Sequence, residues 1–126
     1  MSAGKILVVD DEPLILDMLG DAFSKVGYSV YLASSANEAL GILKKESIPL
    51  MFIDLGLESM NGFELCKNIR KNNAEAIIYA LTGYTGFYEP HTYFDAGFDG
   101  VFDKPISLKN LYKAVNDSFE KLDNCK

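Results

Sequence analysis

The chain has little of what transition-metal and redox chemistry needs. Its one histidine, His91, has no second metal ligand nearby in sequence, and its two cysteines, Cys66 and Cys125, lie far apart with no C-x-x-C spacing. The thiols therefore read as reduced, which fits a cytoplasmic protein. No apolar run approaches the roughly 20 residues that cross a bilayer, and no apolar segment precedes the first strand, so a membrane partner is not expected. Positive charge is also scarce. Twelve Lys and Arg face eighteen Asp and Glu, giving a net charge of −6 and a pI near 4.7, and this field repels phosphate backbones. Direct nucleic-acid binding is not expected either. Repeats, linkers and low-complexity stretches are missing, and 126 residues suffice for one domain but not two.

What is present is an ordinary globular composition arranged around one carboxylate. In Leu50 to Leu65, LMFIDLGLESMNGFEL, an apolar run ends on Asp54, and Gly56 and Asn61-Gly62 then supply loop chemistry before a helix. Such a run reads as a strand buried on both faces, and a carboxylate at its end costs free energy unless a charged or hydrogen-bonding group meets it. The same pattern recurs along the chain. Lys5 to Asp10 is a strand ending in Asp10 and Asp11, Pro13 opens a helix, and Gly27 closes it. Tyr28 to Ala33 is a second strand, and Ser35 with Glu38 forms a capping box for a second helix. A third helix is expected from Gly62 to Lys71 with Phe63, Cys66 and Ile69 inward, followed by a strand from Ala76 to Leu81 that ends at Thr82. A short fourth helix ends at Ala96 before Gly97. The last strand, Gly100 to Asp103, meets Lys104-Pro105, and Ser107 caps a fifth helix.

Five strands alternating with five helices predict an α/β fold with a five-stranded parallel sheet, doubly wound as (βα)5. Ligands in such sheets collect at the C-terminal strand ends. Asp10, Asp11, Asp54, Thr82 and Lys104 should therefore converge on one edge. Three carboxylates brought together repel one another until a proton or a cation relieves them, and an all-oxygen cluster suits Mg²⁺ (or Mn²⁺) better than zinc. A carboxylate beside such an ion can form an acyl phosphate, with the Lys104 ammonium and Thr82 hydroxyl holding phosphoryl oxygens.

With VVDDEP at Val8 to Pro13, IDLGLESMNGFEL around Asp54, LTGY at Leu81 to Tyr84 and DKP at Asp103 to Pro105, nearly the whole chain resembles the receiver domains of two-component response regulators. The resemblance implies a single chemotaxis-regulator-like domain over residues 1–126 with flavodoxin-like strand order 2-1-3-4-5 and no output domain in this chain. Output would then come through a partner, unless the chain is a receiver from a longer regulator. It implies Asp54 as phosphoacceptor, supplied by a sensor histidine kinase or phosphotransfer protein, in a signalling switch that turns over no external substrate. It further implies Mg²⁺ held by Asp11, Asp54 and the Gly56 carbonyl, with Asp10 acting through water on the ion. Thr82 and Lys104 would be switch residues, and the peptide before Pro105 would be cis.

Two departures bear on how the signal leaves the site. Glu58 stands where many relatives carry proline, and Val101 stands where many carry an inward-swinging aromatic. Phe102 should point to the opposite side of the strand, so Tyr84 is the candidate relay in its place. Tyr84, Phe87, Tyr88, Tyr93 and Phe94 are five aromatics in eleven positions, more than a short helix buries on one face. The surface of the fourth helix, fifth strand and fifth helix, with Phe87 and Tyr88, is thus the expected dimer or partner face. Two other classes use related parts. A haloacid-dehalogenase-like phosphatase needs a second aspartate two residues after its nucleophile, where this chain has Gly56. A flavodoxin-like redox module needs a phosphate loop where this chain has Asp10-Asp11-Glu12.

Overall fold

The computed structural model describes residues 4–57, 60–83 and 88–124. Among these, strands and helices alternate as β1 (Lys5–Val9), α1 (Pro13–Lys25), β2 (Ser29–Ala33), α2 (Ala36–Lys45), β3 (Leu50–Asp54), α3 (Gly62–Asn72), β4 (Ile77–Thr82), α4 (Pro90–Ala96), β5 (Gly100–Asp103) and α5 (Leu108–Asn124). The strands form one parallel sheet in the order β2-β1-β3-β4-β5. This is the expected doubly wound topology. Alternate residues of each strand serve opposite faces. Ile6, Val8, Leu50, Phe52 and Leu81 pack with Leu19 and Phe23 of α1 and Leu111 and Val115 of α5. Leu7, Val9, Met51, Ile53 and Ala80 pack with Ala36 and Ala39 of α2, Leu65, Cys66 and Ile69 of α3, and Tyr93 and Ala96 of α4. All five residues of β3 are buried because both layers cover it.

Local chemistry sets the helix ends. Gly27 and Gly97 have φ of 97° and 106°, and each closes its helix with the residue after it bonding back, Tyr28 N–H to the Phe23 carbonyl and Phe98 N–H to the Tyr93 carbonyl. Ser35 Oγ accepts from Glu38 N–H at 3.1 Å. The reciprocal half of the expected capping box is displaced by one residue, since the Glu38 carboxylate accepts from Ser34 N–H at 2.7 Å instead of from Ser35. Asn61, read from sequence only as loop chemistry, caps α3 by accepting from Glu64 N–H at 2.9 Å. The inward face of α3 also includes fully buried Leu65, which the expected Phe63, Cys66 and Ile69 face omitted. Arg70, near the end of α3, donates to the carbonyls of Gly97, Asn73, Ala74 and Ala76 and pairs with Asp99 at 2.9 Å. It ties α3 to the α4–β5 connection. The Lys104–Pro105 peptide is cis, as the resemblance implies.

Candidate functional site

Because the strands run parallel, their C-terminal ends share one edge, and that edge is acidic. Asp10 follows β1 and is wholly buried. Its Oδ1 accepts from Glu12 N–H at 2.9 Å, which fixes the carboxylate in a tight local turn. Its Oδ2 has no aligned hydrogen-bond donor, and the Lys104 ammonium lies 2.9 Å away as an ionic contact. Asp54 closes β3 at 7% exposure, and its Oδ1 accepts from Gly56 N–H at 3.3 Å. Asp10, exposed Asp11 and Asp54 each offer a carboxylate oxygen within 4.8 Å of the others. Lys104, just past β5, places Nζ 3.0 Å from Glu12 Oε1 and 3.5 Å from Asp54 Oδ1.

Thr82, the last residue of β4, is buried and sits beside Asp103 in the sheet, one residue beyond the Leu81 that pairs with Asp54. The Lys104 N–H bonds to the Thr82 carbonyl at 2.9 Å, so the two C-terminal ends are joined directly. The structure therefore groups the three sequence-predicted carboxylates, brings Lys104 onto Asp10 and Asp54, and sets Thr82 alongside. Glu12 was not among the predicted site residues, although it continues the Asp10-Asp11 run. It shares the ammonium.

One cation among four carboxylates leaves the pocket net negative. Burial pushes the Asp54 carboxyl above the usual carboxylate range, and the neighbouring Asp10 charge adds to this, against the partial opposition of Lys104 and the Gly56 N–H. For Lys104 burial pulls down, but its contacts with Asp10 and Glu12 and the charge of Asp54 outweigh that and hold the ammonium above its ordinary value. Lys104 is firmly charged. The unaligned, buried Asp10 oxygen and the three converging carboxylates fit a hard divalent cation such as Mg²⁺, and among the described residues the site offers no imidazole or thiolate that would favour zinc.

Two glycines shape the approach. A Cβ at Gly56 would stand 3.9 Å from both Asp54 carboxylate oxygens, so glycine keeps that side of the acid open. A Cβ at Gly62 would stand 2.6 Å from the Asp54 carbonyl oxygen and 2.8 Å from Leu55 Cα. The start of α3 thus presses on the backbone that carries Asp54. Pro105 follows Lys104 and turns the chain toward α5.

On β5, Val101 packs into the layer of α2, α3 and α4, whereas Phe102 packs against Phe52 and Tyr79 in the opposite layer. Phe102 therefore does lie across the strand from Val101. The aromatic set divides: Tyr93 is buried, while Tyr88 and Phe94 are 40% and 68% exposed. Tyr84, Phe87 and Glu58 lie outside the described residues. His91 is exposed on α4.

The sheet order and the acidic pocket at its C-terminal edge define a doubly wound α/β protein of the flavodoxin-like class with a carboxylate cluster that could hold a cation. The model of the response regulator receiver domain matches residues 6–116, and the chain belongs to that family. It is 31% identical over 116 residues to the transcriptional regulatory protein GlrR of Escherichia coli strain K12, across 92% of this chain and 26% of that protein. It is 33% identical over 123 residues to the probable transcriptional regulator ycf27 of Porphyridium aerugineum, across 98% of this chain and 51% of that protein. The chain thus spans about a quarter to half the length of these curated relatives. A CheY-like receiver domain protein from Methanospirillum hungatei superposes with a TM-score of 0.93 at 27% identity, covering 99% of this chain and all of that one. The response regulator TrrA of Thermotoga maritima, solved in complex with Mg²⁺-BeF, superposes at 0.82 with 29% identity over 91% of this chain and 98% of that one. Receiver domains are signalling switches of two-component systems. Among the described residues no helix is long and apolar enough to cross a membrane.

Proposed function

We propose that Asp54 accepts a phosphoryl group from a sensor histidine kinase or phosphotransfer protein, with Mg²⁺ (or Mn²⁺) at Asp10, Asp11, Asp54 and the Gly56 carbonyl. The observation that carries this reading is the buried Asp54 carboxylate, grouped with two other carboxylates within 4.8 Å and 3.5 Å from the Lys104 ammonium. An Asp54 carboxylate oxygen attacks phosphorus, its new O–P bond forms as the donor's P–N bond breaks, and the leaving imidazole takes its proton from solvent. Asp54 gives up no proton. A bound divalent cation would neutralise charge on the phosphoryl oxygens and on the three carboxylates. Lys104 supplies a fixed positive charge to a phosphoryl oxygen, and Thr82 a hydroxyl donor. Asp10, too buried to meet a donor protein, holds position and charge.

Phosphorylation adds negative charge and acceptor oxygens at one point, and Lys104 must redistribute its contacts among Asp10, Glu12 and the new group. Since Lys104 directly follows the strand that carries Val101, the change passes toward the face of α4, β5 and α5, where a downstream protein or a second copy binds. The domain over residues 1–126 acts as the switch and its output comes through that contact, in the cytoplasm and without direct nucleic-acid or membrane binding. Tyr84 takes the relay role in place of an aromatic at Val101, and Tyr84→Ala should weaken phosphorylation-dependent partner binding.

Incubation with Mg²⁺ and acetyl phosphate, followed by intact-mass measurement, tests the acceptor. A stoichiometric, Mg²⁺-dependent phosphoryl adduct is expected on the wild type and not on Asp54→Asn. An unmodified wild type would remove Asp54 from this role.

A further inference from the structure

Between α4 and β5 the surface opens into a pocket of about 300 Å³, walled by Tyr88, Tyr93, Phe94, Phe98 and Val101. Its existence follows from local sequence: Val101 is small, and Tyr93 and Phe98 beside it are large and held by ring contacts. Tyr93 meets Phe63 and Tyr88 at ring-centroid distances of 5.6 and 6.1 Å, and Phe98 meets Phe63 at 6.0 Å. The volume lies at the small end of ligand pockets, which run from about 300 to 1,000 Å³, and suits one bulky side chain better than a cofactor.

Two further observations indicate an occupant. Tyr93 is buried, yet its hydroxyl has no hydrogen-bond partner among the described residues, and burial, reinforced by the nearby Tyr88 and Asp103, holds the phenol protonated as a donor. The segment that builds the pocket is acidic, and among the described residues only its Asp99 is neutralised by an ion pair, with Arg70 at 2.9 Å. From Tyr88 to Asp103 the chain carries four carboxylates and no lysine or arginine, and Glu89, Asp95 and Asp103 are exposed.

We propose that this pocket receives one bulky apolar side chain from a lysine- or arginine-rich segment of the partner protein, with the Glu89, Asp95 and Asp103 carboxylates selecting the basic flanks. The inference rests on the partner-switch reading above and names the chemistry of that partner. Apolar walls take the anchor, the acidic rim steers the flanks, and a backbone carbonyl beside the anchor can accept from the Tyr93 hydroxyl once the pocket is filled. A second copy of this chain would bring the same acidic rim and the same net charge of −6 against itself. Charge therefore favours a basic partner over self-association at this pocket.

The test is fluorescence anisotropy of the full chain with a labelled synthetic amphipathic peptide of lysine and leucine carrying one central phenylalanine, measured before and after phosphorylation with acetyl phosphate. Salt-sensitive binding is expected, weakened about tenfold or more by serine in place of the peptide's phenylalanine and by glutamate in place of its lysines. Val101→Phe, which fills the pocket, should weaken binding by a similar factor, and Phe94→Ser, a change at an exposed side chain, should do so without disturbing the core. Tyr93→Phe should weaken it about threefold while leaving the ring contacts in place. Equal affinity of the serine peptide, equal affinity of both Val101→Phe and Phe94→Ser, or no binding in either phosphorylation state would overturn the proposal. So would self-association abolished by Val101→Phe in a protein that ignores the peptide. Asp54→Asn should bind the peptide as the unphosphorylated wild type does. Loss of peptide binding with Asp54 still phosphorylated counts against the pocket alone, whereas peptide binding without phosphorylation of the wild type counts against the acceptor reading alone.

Discussion

Replacing Lys104 by methionine isolates the electrostatics of the acidic edge, because methionine keeps the apolar stem in place and removes only the ammonium. The ammonium lies 2.9 Å from Asp10 Oδ2 and 3.5 Å from Asp54 Oδ1. At an effective dielectric constant near 20, each such contact is worth about 5 kcal/mol of direct attraction. Most of this is offset by the cost of burying the charges, and the more exposed Glu12 contact adds little. Breaking a buried pair on one side leaves an unpaired charge, so a net loss of about 3 kcal/mol is expected in metal-free buffer at about pH 7, a fall in Tm on the order of 10 °C.

The loss should depend on pH and on metal. The folded-state pKa of Asp54 is already raised above its unfolded value. Its favourable contribution is therefore fully present below the unfolded pKa and is lost as the pH rises through the folded pKa, which leaves the repulsion at neutral pH. Removing Lys104, a group that lowers the Asp54 pKa, raises it further, so the gap between variant and wild type should narrow as the pH falls from about 7 toward 5. Mg²⁺ at about a hundred times the variant's Kd would return about 2.7 kcal/mol to the variant, and the gap narrows by as much as the wild type, whose ammonium competes for the same carboxylates, binds the ion more weakly. Thermal melts at the two pH values, with and without Mg²⁺, read all four quantities. An equal Tm deficit under all four conditions would show that Lys104 acts by packing and would refute the reasoning.

Other outcomes follow from the same geometry. Asp54→Asn in metal-free buffer at neutral pH should gain about 1 kcal/mol in urea denaturation, a gain that fades as the pH falls through the raised Asp54 pKa; a loss at neutral pH would contradict the assigned repulsion. Gly62→Ala must displace either the start of α3 or the Asp54 backbone, costing about 1 to 3 kcal/mol and slowing adduct formation with acetyl phosphate, as followed by mass. Arg70→Met strips donors from four carbonyls and should cost about 3 kcal/mol by urea melt while leaving the mass of the Asp54 adduct unchanged.

The fold was legible because its signals are local. Uninterrupted apolar strands, Gly27 and Gly97 after helices, and the carboxylates at successive strand ends each report on a few neighbouring residues. What escaped the reading depends on tertiary contact. Glu12 shares Lys104 only because the parallel sheet puts the ends of β1 and β5 on one edge, within reach of a lysine side chain, and the displaced partner of Glu38 depends on how β2 enters α2. Arg70 carries no local signal of its role, and its four carbonyl partners come from two connections, α3–β4 and α4–β5. The pocket beside Val101 was visible only as a missing aromatic, since a cavity is a property of several side chains together.

The most direct measurement locates the phosphoryl group. After incubation with Mg²⁺ and acetyl phosphate, borohydride reduces an acyl phosphate to the corresponding alcohol, and tandem mass spectrometry of the peptides shows which carboxyl was modified. Reduction confined to Asp54, dependent on Mg²⁺ and lost with Asp54→Asn, is the result predicted. Reduction at Asp10 or Asp11, or a stable phosphate on His91 or a hydroxyl side chain, would contradict it.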